Sequence, residues 1–189
     1  MNKPPAKSPQ ELEVELQAAL GRALFAWGRL ELTLSILFRA VLSPTSPVVA
    51  DGIFGSIRAF DARLGMVGAA VVGTFSKKDD PINIVWSGLS RRCDSQAKMR
   101  NKLAHATALM VDGTTPVLEP FFLISKSRPR ISTSEIDACA VSFWETSRAL
   151  MWLEDRVAVR KGMRHELPPE LRVLETNLVA DLLRARARA

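Results

Sequence analysis

The sequence predicts an all-α fold: a four-helix up-and-down bundle, with a short β-hairpin inserted before the last long helix and an extra C-terminal helix. Three observations predict it. Apolar residues recur at helical spacing over four long segments. Two capping boxes and two proline start signals punctuate those segments. The stretch after His105 alone changes to a strand-like texture around an Asp112-Gly113 turn.

Met1 to Lys7 reads as a loose tail. Ser8-Pro9-Gln10-Glu11 is a capping box with proline at the first helical position. Leu20, Leu24, Trp27, Leu30, Leu34, Leu37, Phe38 and Val41 then keep helical spacing until Ser43-Pro44. Ser46-Pro47 starts a second helix carrying Ile53, Phe54, Ile57, Phe60, Leu64, Val67 and Val71, with several glycines along it. After a polar break at Lys77 to Asp80, Pro81 opens a third helix that runs to about His105. Thr107 to Val111 and Val117 to Ser125 predict the hairpin, which Pro116 and Pro120 restrict to an edge-type element. Following a loop at Lys126 to Arg130, a second capping box, Ser132-Thr133-Ser134-Glu135, opens the fourth long helix, with Ile136, Ala140, Phe143, Leu150 and Val157 on one stripe. Pro168-Pro169 then begins a shorter amphipathic helix with Leu171, Leu174, Leu178 and Leu182. The expected organisation is a tail over 1–7, a helical domain over 8–162, and a C-terminal helix with a basic end over 163–189.

With 189 residues, 47% of them hydrophobic, the chain can bury one sizeable core. Every apolar segment is broken by charge, so no membrane span is expected. Cys93 and Cys139 fit neither a disulfide framework nor a metal spacing, and read as reduced thiols of a cytoplasmic protein. Net charge is +6, which permits a nucleic-acid partner without requiring one. The distribution is more telling. Between residues 91 and 105, Arg91, Arg92, Lys98, Arg100 and Lys102 face Asp94 alone. A second basic cluster, Arg184, Arg186 and Arg188, reads as a solvated tail.

Most catalytic chemistries lack their residues here. Two histidines and two scattered cysteines make no zinc site, and no cofactor is expected. There is no glycine-rich phosphate loop and no Gly-x-Ser-x-Gly elbow. Nor do the long helices suit a helix-turn-helix repressor. What remains is Arg100-Asn101-Lys102-Leu103-Ala104-His105. Histidine titrates near neutral pH, and arginine is a permanent, planar phosphate binder. On a helix Asn101 and His105 share a face, and Arg100 must reach around toward it. Glu31 is the other unexpected residue, a carboxylate inside the first helix's apolar stripe. Either it pairs with Arg63 or Arg100 to fix helix register, or it orients Arg100 or His105. His165 has no motif around it, and the four tryptophans sit on helical patterns as core residues.

The run from Arg100 to His105 resembles the signature of the HEPN superfamily: an arginine, a polar residue after it, a short spacer, then a histidine. Trp27-Gly28-Arg29-Leu30-Glu31 is similar to the first-helix pattern of many bacterial members, and Ser56 to Leu64 resembles their second helix. The resemblance covers about residues 8 to 160. It implies a four-helix bundle, a homodimer, and a cleft where the two copies of the motif meet. It also implies metal-independent RNA cleavage in toxin–antitoxin or antiphage systems, with an antitoxin or regulatory protein as a further partner. Some members only bind nucleotides, RNA or proteins.

The expected chemistry uses the ribose 2′-hydroxyl as nucleophile, giving 2′,3′-cyclic phosphate ends. His105 transfers protons, Arg100 stabilises the developing phosphoryl charge, and Asn101 orients His105 or the phosphate. Arg91, Arg92, Lys98 and Lys102 are expected to hold the RNA backbone. One histidine cannot serve as acid and base at once, so a second copy is expected to complete the site. The alternative is a non-catalytic helical module that binds a nucleotide, RNA or a partner protein. A purely structural reading of the motif instead pairs Arg100 with Glu31 and has His105 cap its helix.

Overall fold

The computed structural model describes residues 7–43, 46–77, 79–112, 115–120 and 130–163. The expected C-terminal helix, His165, the terminal arginines, Gly113 and most of the second strand's distal end lie outside the described residues. The elements in order are α1 (Pro9–Leu42), α2 (Pro47–Ser56), α3 (Phe60–Thr74), α4 (Pro81–Ala104), β1 (Ala106–Val111), β2 (Thr115–Pro120) and α5 (Thr133–Arg160). The chain divides into two compact units, Met1–Gly28 with Lys98–Phe143, and Arg29–Ala97 with Trp144–Ala189.

Both capping boxes form. The Ser8 backbone N–H donates to Glu11 Oε2 at 2.7 Å, and the Glu11 N–H donates back to Ser8 Oγ at 3.3 Å. Ser132 and Glu135 repeat the exchange at 2.8 and 3.3 Å. These bonds favour the ionised carboxylates. The backbone N–H of Ser8 chiefly, and the hydroxyl of Ser132 chiefly, hold the two glutamates below the ordinary carboxylate range. A carboxylate lowered by folding stabilises above its unfolded pKa and loses that contribution as pH falls through the folded value. Thermal unfolding followed by circular dichroism is therefore expected to drop below about pH 4. The fall should be shallower in Glu135→Gln.

The second unit corrects the expected helix count. The single helix read from Ser46 to Val71 is two helices, broken at Ile57 to Ala59. Ile57 and Ala59 both take extended backbone angles. Gly52 and Gly55 lower the helix propensity ahead of the break. Ser56 Oγ bonds the Ile53 carbonyl, and Arg63 Nε donates to the Ile57 carbonyl at 2.6 Å. The freed backbone thus has partners.

That break adds one reversal of direction. The end of α1 meets α2 through Arg39–Asp51 at 3.3 Å and through Phe38 and Phe54, so α2 returns along α1. Asn83 Nδ2 donates to the Phe75 carbonyl, and Trp86 lies at Gly68, which sets α4 antiparallel to α3. A Cβ at Gly68 would sit 3.3 Å from Trp86 Nε1, so glycine permits that close approach. Arg160–Asp80 at 2.6 Å and Arg92–Glu145 at 2.9 Å set α5 antiparallel to α4. Five helices therefore alternate, and α1 and α5 run parallel, as Thr33–Ser147 at 2.9 Å and the Lys161 bond to the Val41 carbonyl also require. An alternation of four would have set the first and last antiparallel.

The core of this unit takes Leu30, Leu34, Leu37 and Val41 of α1, Val67 and Val71 of α3, Val85, Leu89 and Cys93 of α4, and Leu150, Leu153 and Val157 of α5. Burial pushes the Cys93 thiol up to about 12, so it is no nucleophile. A polar layer crosses the core, where Gln96 Nε2 donates to Thr146 Oγ1 at 2.9 Å beside the Thr33 and Ser147 hydroxyls. Asp80 caps α4 by accepting the Ile82 N–H at 2.9 Å while binding Arg160, and its side chain is nearly inaccessible. Asp80→Ala is expected to lower stability by about 1–2 kcal/mol in urea denaturation. Asp80→Asn, which keeps the cap acceptor, should cost less.

In the first unit Trp27 meets Phe143 edge-on at 5.3 Å, and Arg22 pairs with Asp137 at 2.8 Å, again with α1 and α5 parallel. β1 and β2 are antiparallel, with Ala106 opposite Pro120 and Val111 opposite Thr115. Asp112 supplies the left-handed turn conformation at φ 54°. Leu118 exchanges two 2.9 Å backbone bonds with Ile131, which ties the hairpin to the start of α5. Two residues read as core stripe are exposed instead, Leu24 and Ile53.

Candidate functional site

The motif occupies the last turn of α4 in the first unit. The helix ends at Ala104, and the His105 N–H closes the final turn on the Asn101 carbonyl at 3.2 Å. The chain then enters β1 directly. The histidine thus sits at a helix-to-strand corner whose backbone is bonded on both sides, a rigid place for a catalytic group.

The turn has two distinct faces. Leu103 is buried and Arg100 half-buried on the inner one, while Lys98, Asn101, Lys102 and His105 are all exposed. With 100° per residue, those four lie within an arc of roughly 100°. Two lysines, an amide and an imidazole therefore share one solvent face at the carbonyl end of a helix, where positive charge is favoured.

Arg100 starts from the other side. Its guanidinium lies 5.7 Å from the Trp27 ring centroid, and its Nη1 donates to Asn101 Oδ1 at 3.0 Å. The indole face holds the cation, and the amide draws it toward the outer face that carries His105. Asn101 is thus the link between the two other motif residues. The sequence gives no sign of the Trp27 contact, because the two residues lie on different helices far apart in the chain.

The remaining candidates fall in the second unit. Arg92 is bound to Glu145 at 2.9 Å. Arg91 is exposed and lines an open groove of about 470 Å³ with Asp61, Gly65, Gly68, Trp86 and Asp94. The two carboxylates there disfavour a phosphate backbone. Glu31 pairs with Arg63 across 3.6 Å, both partly buried, and Arg63 also lies over Phe54. The basic residues of the segment fall in both units. Lys98, Arg100, Asn101, Lys102 and His105 belong to one unit, and Arg91, Arg92, Glu31 and Arg63 to the other. Of the tryptophans read as core, Trp144 is 40% exposed, with the Arg29 guanidinium 4.1 Å from its ring.

Among the described residues no three His, Cys, Asp or Glu side chains gather as a metal-ligand set, and no helix is long and apolar enough to cross a membrane. Comparison of the chain with family models, curated proteins and solved structures gave no match.

Proposed function

We propose that this chain is a metal-independent endoribonuclease of the HEPN type, acting as a homodimer in which the ends of two α4 helices form one cleft. The observation that carries the reading is the geometry of a single turn. Arg100 is bonded to Asn101 at 3.0 Å, Asn101 shares the outer face with His105, and that face is open to solvent. Helices that alternate in direction, and a hairpin entered straight from the motif helix, are consistent with it.

The chemistry follows from the groups present. Lys98, just before the motif, and Lys102, within it, supply charge for a phosphate backbone. Arg100 and Asn101 place donors where a pentacoordinate phosphorane develops charge. One imidazole takes the 2′-hydroxyl proton, and a second protonates the leaving 5′-oxygen. Among the described residues His105 is the one histidine on this face, and in this proposal the second imidazole comes from the partner copy. In a cell this activity suits a toxin or antiphage effector restrained by an antitoxin or regulatory protein.

One observation favours a non-catalytic helical module instead. Arg100 is half-buried over Trp27, a position a purely structural arginine would also take. Incubating the full chain with single-stranded RNA in excess EDTA separates the readings. Cleavage leaving 2′,3′-cyclic phosphate ends, with the DNA of the same sequence intact, is the expected result. Intact RNA supports the binding module.

A further inference from the structure

The outer face of α1 in the first unit is apolar and open. Val14, Ala18, Gly21, Phe25 and Gly28 are all exposed, Val14 to 59% and Phe25 to 77%. They alternate steps of four and three residues, and no charged residue stands among them. On the helix they fall within an arc of roughly 80° and run for about 21 Å. That is the spacing of a coiled-coil seam. On α5, Val141 is 58% exposed. It follows Asp137 by one turn, as Phe25 follows Arg22, and Arg22 and Asp137 are paired at 2.8 Å. The two exposed apolar side chains therefore border the same pair.

Packing within the chain does not account for the glycines of this seam. A Cβ at Gly21 or Gly28 would meet nothing within 4 Å, yet glycine weakens a helix interior relative to alanine. Close approach of another helix does account for them. With no side chain at Gly21 and only a methyl at Ala18, a second backbone can come near, and the hollow admits a large knob. Phe25, one turn further on, is such a knob. Knob and hollow lie on one surface, so a two-fold axis brings each against its complement. Charge order sets the direction. Glu11, Glu13 and Glu15 precede Ala18, whereas Arg22 and Arg29 follow Gly21. Antiparallel helices turn the acids of one copy toward the arginines of the other, and parallel helices would set like against like. Two copies covering this face and Val141 bury roughly 1,000 Å² in total, the size a specific interface requires.

We propose that two copies of the chain pair through the outer faces of α1, antiparallel, with Phe25 of each seated over Ala18 and Gly21 of the other. The occupant is a second copy because the knob, the hollow and the two ends of opposite charge belong to the same face. The pairing uses neither α4 nor His105, and it does not rest on the RNA-cleavage reading.

The test is sedimentation equilibrium of the full chain and of Phe25→Glu. Phe25 is mostly exposed, so the variant keeps its fold. The variant's assembly is expected to have half the wild-type mass. Equal masses, or a wild-type chain that sediments as a monomer, overturn the proposal. Cross-linking tests the direction. Gly21→Cys and Val14→Cys, each in a Cys139→Ser background, are oxidised mildly and run on a non-reducing gel. Gly21→Cys lies beside the two-fold axis and is expected to give disulfide-linked dimers. The two copies of Val14→Cys stand about 22 Å apart along an antiparallel pair and are expected to stay unlinked. No link at Gly21→Cys, or an equally strong one at Val14→Cys, overturns the antiparallel pair.

Discussion

His105→Ala is expected to reduce cleavage of RNA in EDTA by about 10³-fold or more, with thermal stability changed little. General acid–base catalysis by a positioned side chain contributes about 10²–10⁴-fold, and His105 supplies the imidazole in each half of the proposed site. The side chain is exposed at a helix end, so its removal opens no cavity. Arg100→Ala is expected to cost about 10²–10³-fold, the usual effect of losing one donor to a developing oxyanion. Arg100→Lys should recover only part of this, because an ammonium can neither stack on Trp27 in the same way nor present a planar fork to Asn101 and phosphate together. Single-turnover rates with denaturation curves for each variant check the claim. A variant that loses cleavage while keeping its unfolding midpoint separates chemistry from folding.

Trp27→Ala is expected to destabilise the chain by about 3–5 kcal/mol, the range for emptying a large aromatic from a core. Trp27 is 3% exposed and meets Phe143 edge-on at 5.3 Å. The same ring lies under the Arg100 guanidinium, so the substitution removes a piece of core and the arginine's support together. Trp27→Phe separates the two effects. It keeps an aromatic in the core but offers the cation a weaker face, so cleavage is expected to fall roughly fivefold in kcat with a smaller stability loss. Urea denaturation measures the first effect, and saturating-RNA kinetics the second.

The contrast between His105 and Trp27 explains what the sequence made legible. Local signals were readable because their physics is local. Ser8 with Glu11 and Ser132 with Glu135 are capping boxes by spacing alone, and both form. Asp112 turns the hairpin as an Asp-Gly pair implies. Proline at residue 81 starts α4, and the motif's place at its far end follows from counting turns. The break at Ile57 to Ala59 was not readable, because the apolar spacing continues through it. At the break Arg63 reaches back to bond the Ile57 carbonyl. Nor could spacing tell Trp144, which stays partly open beneath Arg29, from Trp27, which is buried. Both lie on apolar helical stripes, and only the neighbouring helices decide. Likewise the run from Arg91 to Lys102 shows five basic residues against Asp94 alone in sequence. In the fold Arg92 pairs with Glu145 and Arg91 shares a groove with Asp61, and both depend on tertiary placement.

In the proposed dimer the motif works across a two-fold axis. Mixing tests it most directly. Wild-type chain is held at constant concentration, allowed to exchange subunits with a threefold excess of His105→Ala, and assayed with RNA in large excess. If the site needs both imidazoles, random pairing leaves about a quarter of the wild-type chains in active dimers, and the cleavage rate should fall to about that fraction. A rate unchanged by the added variant would mean that one chain suffices, and would contradict the claim.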